Sequence, residues 1–372
     1  MKNFEMKTKV FFGENSLDRI LEEKSRCAFV IADPFAVKSG LINQVTERLD
    51  RKGIRYKIFD DVVPDPPMDK VITGVKMALE IHSDCLMAVG GGSAMDYTKA
   101  VRMFARRTDP SFDPKFVAVP TTSGTGSEVT EVAVITDANK STKNPICSKE
   151  LIADEAILDA ELVKTVPQNV TADTGMDIMT HAIEAFVSTN QNDFSDALAE
   201  RAVKLCFRYL GRSYSDQEDM EAKEKIHVAS CMAGIAFNSA GLGLNHGMAH
   251  QLGARFHIPH GRANAILLPH IISYNSDTCV KKYCEIASSL GIIGADEEST
   301  LRSLMNYLKI FMKEMDMPAS IEDIGSISKE DYFSAIDEMA DAALLDATTQ
   351  TNPRTPAKDE IIEIYKVIWN SK

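Results

Sequence analysis

CLMAVGGGSAMDYTKAV, residues 85–101, joins an unbroken apolar run to three glycines and then to the start of a helical pattern. A run this short, closed by a glycine turn, reads as a strand buried on both faces. The helix behind it is expected to begin near Ala94, which would aim its free N–H groups at the turn. FVAVPTTSGTGS (116–127) repeats the strand-then-turn arrangement. Upstream, CAFVIAD (27–33) and RYKIFDDV (55–62) read as strands, whereas LINQVTERLDRKG (41–53) and VITGVKMALEIH (71–82) read as helices, the first closed by a glycine. Alternating β and α units of this length predict a mostly parallel sheet covered by helices, an α/β Rossmann-like domain over residues 1–166. Ligands of such sheets bind beyond the carboxyl ends of the strands, where both turns lie.

After Pro167 the strand signals stop. Amphipathic segments take over at 171–188, 193–211, 219–240, 280–290, 298–315, 329–345 and 358–369. They predict an all-α second domain over 167–372, with the boundary in DAELVKTVPQN (159–169). No internal repeat or low-complexity linker interrupts this order.

Composition narrows the function. The chain has 372 residues, 44% hydrophobic and 26% charged, as expected of a soluble globular protein. No apolar run approaches the roughly 18 residues that suggest a membrane span, and MKNFEMKTKVFF (1–12) lacks the features of a secretory signal. The expectation is a cytoplasmic protein. Seven cysteines, with no CxxC spacing, fit scattered reduced thiols rather than disulfides or a thiolate metal site. A net charge of −13 offers no electrostatic footprint for nucleic acid or an anionic membrane. Small-molecule partners are favoured.

The turn Gly90-Gly91-Gly92-Ser93 has the strand–turn–helix setting that binds phosphate, although it is not a GxGxxG match. The second turn, Thr121 to Ser127, adds hydroxyls and further glycines. Asp33 ends the first strand, where a carboxylate can accept from the adenosine ribose hydroxyls and repel a 2′-phosphate, favouring NAD over NADP. It precedes the glycines, whereas the ordinary fingerprint acid follows them by about 20 residues. With Pro34 next, Asp33 also reads as a turn starter.

In TGMDIMTHAIEAF, Asp177 and His181 stand four apart in a helical pattern, so both side chains share a face. Five of the eight histidines lie between 246 and 270, a stretch without any Asp or Glu. Asp177, His181, His246 and His260 form a one-carboxylate, three-imidazole set suited to Fe(II) or Zn(II), with a position left for substrate. His250, one helical turn after His246, reads either as a fifth ligand or as a proton carrier; His257 is the weakest candidate.

GGGSAMD, PTTSGTGSEVT, TGMDIMTHAIEA, GLGLNHGMAHQLG and PHGRANAILLPH together resemble the signature segments of the iron-containing (group III) alcohol dehydrogenases, in order and with similar intervals. The DALAE at 196–200 and the GLGLNH segment resemble most a propanol-dehydrogenase subgroup from bacterial microcompartments. The resemblance implies the dehydroquinate synthase-like fold of that family. It also implies Fe(II) on Asp177, His181, His246 and His260, and His250 as a non-ligand beside nicotinamide and substrate. It implies NAD(H) contacts at Asp33, Asp65, Gly91, Gly92, Ser93, Asp96, Thr121, Thr122, Thr125, Lys143 and Leu162. The implied activity is interconversion of short primary alcohols and aldehydes, such as propionaldehyde and 1-propanol or acetaldehyde and ethanol. Implied partners are further copies of the chain and a microcompartment shell protein. Three departures stand out: Asp65 and Val132, where many members have Asn, and Gln251, where proline is common outside the subgroup.

Rival expectations are a zinc polyol dehydrogenase of glycerol or 1,3-propanediol type, a dehydroquinate-synthase-like lyase, and a scaffold protein with a dead site. The lyase would need a strongly basic pocket near the histidines, which the sequence there lacks, and the intact ligand set disfavours the scaffold.

Overall fold

Six successive apolar or small residues, as in CAFVIA and CLMAVG, bury both their faces only inside a covered sheet, and both runs are central strands. In chain order the strands are β1 (Lys9–Phe12), β2 (Cys27–Ala32), β3 (Arg55–Phe59), β4 (Cys85–Gly90), β5 (Lys115–Pro120), β6 (Val132–Asp137), β7 (Thr142–Cys147) and β8 (Glu155–Leu158). All but β6 and β7 join one parallel sheet in the order β1-β8-β5-β4-β2-β3, while β6 and β7 pair antiparallel. The computed structural model describes residues 3–63, 66–137 and 142–370. It forms two compact units, Met1–Thr165 and Val166–Lys372.

In the first unit the helices are α1 (Pro34–Lys38), α2 (Asn43–Lys52), α3 (Met68–Glu80) and α4 (Gly92–Thr108). Alternation within the strands feeds two cores. Ala28, Val30 and Val89 pack with Val45 and Leu49 of α2 on one face of the sheet. Phe29, Ile31 and Leu86 pack with Val71 of α3 and Tyr97 of α4 on the other. The chain leaves β2 for β3 on one side and returns to β4 on the other. Strand order therefore reverses between β2 and β4, which makes their carboxyl ends the switch point where open sheets bind ligands. Asp33 follows β2 and the triple glycine follows β4.

The second unit contains α5 (Gln168–Val187), α6 (Asp193–Ser215), α7 (Met220–Ala240), α8 (Leu244–Phe256), α9 (His260–Ser289), α10 (Glu297–Glu314), α11 (Lys329–Leu345) and α12 (Lys358–Val367). Helix α5 packs against α6, α7 and α9, and nearly every residue from Thr171 onward is buried. Among the described residues no single helix is long and apolar enough to cross a membrane.

The parallel sheet and helical second half match expectation, with corrections. Helix α4 starts at Gly92, two residues before the expected Ala94, because Gly91 is its extended N-cap. The β6–β7 hairpin had no sequence counterpart, nor did β1 and β8, whose four residues carry little periodicity. Periodicity also gave no helix over 244–279. Helix α8 and the first part of α9 lie there, with buried residues spread around them and a kink at Cys279 that joins α9 to the expected 280–290 segment.

Candidate metal centre and glycine-turn site

Three helices of the second unit deliver the four donors. Asp177 and His181 lie on α5, His246 near the start of α8, and His260 is the first residue of α9. Gly261 explains how α9 gets this close: a Cβ there would come within 1.9 Å of the Asp173 carbonyl oxygen and 3.2 Å of Asp177 Cβ. One ligating atom from each of the four residues lies within 4.8 Å of the other three. Asp177 Oδ1 is 3.7 Å from His246 Nε2 and 3.5 Å from His260 Nε2, and Asp177 Oδ2 is 4.0 Å from His181 Nδ1. The His181 ring stacks on His246 and on Phe237, each at 4.6 Å between centroids.

The surrounding contacts orient these donors. His246 Nδ1 bonds Glu184 Oε2. Arg262, two residues after His260, is clamped by Asp173 at 3.1 Å on both oxygens. Asn264 Nδ2 lies 2.7 Å from Asp177 Oδ1, 3.2 Å from His246 Nε2 and 3.1 Å from His260 Nε2. The acceptor atoms of three donors thus converge on one small volume. The chemistry of the set, one carboxylate and three imidazoles, fits a borderline divalent cation such as Fe(II) or Zn(II).

Electrostatics agree with that fit. Burial alone would raise the Asp177 carboxyl, but His181, His260 and His246 outweigh it and hold Asp177 well below the usual carboxylate range. Burial lowers His246, yet the Glu184 and Asp177 carboxylates carry it up to about 9. His260 has its side chain 41% exposed while its Nε2 points inward to Asn264. Burial of that ring, against only partial compensation from Asp177, takes it down to about 3, so His260 is a neutral donor at ordinary pH.

His250 stands outside the four. Its Nδ1 is 2.8 Å from Asp346 Oδ2, its side chain is 40% exposed, and its ring stacks on His260 at 5.4 Å. His257 is the exposed left-handed C-cap of α8 and joins no cluster. A separate cavity of about 530 Å³, lined by Arg262, His270, Lys309 and Ile324 among others, includes none of the four donors in its lining.

In the first unit the structure brings Asp33 to the glycine turn. Asp33 Oδ1 accepts from Ala36 N, capping α1, and Oδ2 accepts from Gly91 N at 3.3 Å. The cap is the turn-starting role; the second bond adds contact with the glycines. A Cβ at Gly90 would come within 2.5 Å of Asp33 Oδ2 and 2.7 Å of Ala94 Cβ, so only glycine fits there. Thr121 N bonds Gly90 O, and the α-carbons of Gly91 and Gly92 face Thr122 and Thr125. Ser93 lies in the first turn of α4, partly buried.

Asp96 turns its carboxylate to Ser127 Oγ and Val134 N and thereby pins the second turn to α4. Leu162 is 1% exposed, packed in the first-unit core. Asp65 lies outside the described residues, as does the side chain of Lys143 in β7.

Sequence reasoning missed Lys99, Glu184, Asn245, Asn264 and Asp346. Glu184 is three residues past His181 on α5, and Asn264 four past His260, so helical spacing carried a signal for both. Asp346, 96 residues from His250, carried none.

A parallel α/β unit with glycine turns at its switch point, followed by a helical unit with an Asp–His₃ cluster, defines a two-unit class of proteins with a phosphate-type turn in one unit and a metal-type cluster in the other. Comparison with known proteins makes the assignment specific. Residues 7–160 match "Iron-containing alcohol dehydrogenase" and residues 171–369 match "Fe-containing alcohol dehydrogenase family, C-terminal". The chain belongs to the iron-containing alcohol dehydrogenase family. It is 40% identical to a 1-propanol dehydrogenase of Citrobacter freundii, over 98% of this chain and 99% of that one. It is 36% identical to an NADPH-dependent butanol dehydrogenase of Clostridium saccharobutylicum, over 99% and 98%. Its fold matches a sulfoacetaldehyde reductase of Bifidobacterium kashiwanohense, solved in complex with NAD+, with a TM-score of 0.91 at 26% identity over the whole of both chains. The chain is an oxidoreductase acting on alcohols.

Proposed function

We propose that the protein interconverts short primary alcohols and aldehydes, reducing propionaldehyde or acetaldehyde with NADH through a centre of Fe(II) on Asp177, His181, His246 and His260. The observation that carries this reading is the convergence of those four donors within 4.8 Å. Fe(II) held there supplies Lewis acidity toward the substrate oxygen, and the dinucleotide carries the hydride. The propanol dehydrogenase relative supports the substrate class.

The chain's own groups do the rest. The N–H groups at the start of α4 bind phosphate oxygens. Asp33 stands at the switch point beside Gly91, where its charge opposes a 2′-phosphate. Asp346 holds His250 Nδ1, which leaves Nε2 to exchange a proton between the substrate oxygen and solvent. The butanol dehydrogenase relative is NADPH-dependent, so the cofactor preference rests on Asp33 alone.

Anaerobic purification with metal analysis, followed by NADH oxidation against short aldehydes, lactaldehyde and dihydroxyacetone, tests the proposal. One iron per chain and fastest turnover with propionaldehyde or acetaldehyde are expected. Full activity after the metal is stripped would sink it. The cellular setting implied by the propanol-dehydrogenase subgroup, a microcompartment lumen with homo-oligomeric enzyme, is tested by co-purification with intact shells.

A further inference from the structure

Behind the four donors lies a closed set of hydrogen bonds whose direction is fixed by two backbone groups. The Asn245 backbone N–H can only donate, and it donates to Glu184 Oε1 at 2.7 Å. The backbone carbonyl of Asn264 can only accept, and Asn245 Nδ2 donates to it at 3.2 Å. From these two fixed points the rest follows. Asn245 Nδ2 also donates to Asn264 Oδ1 at 2.9 Å, so the Asn264 NH₂ must face the donors, where it reaches Asp177 Oδ1 at 2.7 Å. Glu184, an acceptor on both oxygens, spends one on the Asn245 N–H and presents the other to His246 Nδ1. Glu184, Asn245, His246 and Asn264 are all buried, at most 3% exposed, so water does not scramble the pattern.

Resting on the metal reading above, we propose that Glu184 is the positioning residue of the centre: it holds the neutral His246 proton on Nδ1 and so commits Nε2 to the cation. Asn245, oriented by the Asn264 backbone carbonyl, turns the Asn264 NH₂ toward Asp177 Oδ1 and leaves Oδ2 clear of the amide. An imidazole tautomer and a carboxylate rotamer are thereby set by one buried network. Its members sit on α5, α8 and α9, the same three helices that supply the donors.

Glu184→Gln discriminates sharply. The variant has nearly the same shape but only one acceptor. If its oxygen stays with the Asn245 N–H, its NH₂ faces His246 Nδ1 and drives the imidazole proton onto Nε2, the tautomer that cannot ligate. Zn(II) binding to the full-length protein, measured by competition with a chelator, is expected to weaken about 10- to 100-fold in a variant that circular dichroism shows to be folded. Unchanged Zn(II) affinity in the variant, alongside tight binding by the unaltered chain, overturns the proposal and leaves the metal reading intact. An unaltered chain that binds no Zn(II) or Fe(II) overturns the metal reading itself.

Should the variant fail to fold, ¹⁵N-histidine NMR of the unaltered Zn(II)-loaded protein decides. The His246 signals are expected to show a protonated Nδ1 and a coordinated Nε2, and coordination through Nδ1 overturns the proposal.

Discussion

The two candidate sites are built on opposite plans. In the first unit, binding capacity resides in the backbone: free N–H groups at the start of α4 and glycines at the strand ends, with side chains holding the shape. Lys99 Nζ, fully buried, donates to Ser127 Oγ, Thr130 Oγ1 and the Val132 carbonyl, and Asp96 takes Ser127 Oγ and Val134 N. In the second unit, capacity resides in side-chain lone pairs, and an equally buried polar network sets their direction. A backbone site tolerates exchange of its side chains as long as the shape survives. A ligand site tolerates small changes of shape but no change of donor chemistry.

His260→Ala attacks the second plan most directly. It removes one of four donors at a helix N-terminus, without touching the core of either unit. Loss of bound metal and a fall in turnover beyond the roughly 100-fold of an outer-shell change are expected, while NADH binding, followed by nicotinamide fluorescence, stays near normal. Full turnover from a metal-free variant would break the contrast between the two plans.

Lys99→Met attacks the first. Burial pulls the Lys99 ammonium down to about 8, against the opposing pull of Asp96 and Glu128, and burial pushes Glu128 up to about 7. Removing the ammonium strands three acceptors and leaves Asp96 and Glu128 without their nearest cation. A destabilisation of about 3 kcal/mol, within the range for breaking a buried charged network, is expected in denaturant unfolding, together with weaker NADH binding. Metal content per folded chain should not change. A variant as stable as the original would mean that the glycine turns hold their shape through the backbone alone.

The same contrast explains what could be read in the sequence. The apolar strands of 27–32 and 85–90 and the glycines after them are local patterns, so the parallel sheet was legible in the sequence, whereas the strand order that puts the switch point between β2 and β4 was not. Asp177, His181, His246 and His260 were visible because ligating residue types are few and recur at helical spacing or in one crowded stretch. Glu184 and Asn264 stayed hidden among many acids and amides of ordinary type, although each shares a helix face with a donor. Lys99 and Asp346 were invisible for another reason. Their partners lie 28 to 33 and 96 residues away, and only the tertiary fold brings them together.

Proton competition separates the two sites by pH. The Glu184 and Asp177 carboxylates raise His246 to about 9, so at neutral pH the metal-free imidazole carries a proton that a cation must displace. His260, lowered to about 3, offers no such competition above pH 5. Apparent Zn(II) affinity should therefore climb about tenfold per pH unit between pH 6 and 8 and level off above about 9. NADH affinity should stay nearly flat over that window. A flat metal profile would mean that His246 is already neutral, and the ion pair with Glu184 would lose its place in the account.

Asp33 is where the two plans meet, because a side chain there serves a backbone site by both shape and charge. Its Oδ1 caps α1 through Ala36 N and its Oδ2 accepts from Gly91 N, so Asp33→Gly removes a helix cap, a turn contact and a charge together. Asp33→Asn separates them. Asparagine caps helices about as well as aspartate, so α1 should stay intact and the melting temperature nearly unchanged. Two unit charges 4 Å apart repel by about 1 kcal/mol in water and by more near a protein surface. The ratio of NADPH to NADH activity is therefore expected to rise about tenfold in Asp33→Asn. Asp33→Gly should add a stability loss of about 1 kcal/mol for the missing cap. If Asp33→Asn leaves the ratio unchanged while Asp33→Gly shifts it, the selectivity lies in the space beside Gly91 and not in the charge, and the first site would be a site of shape throughout.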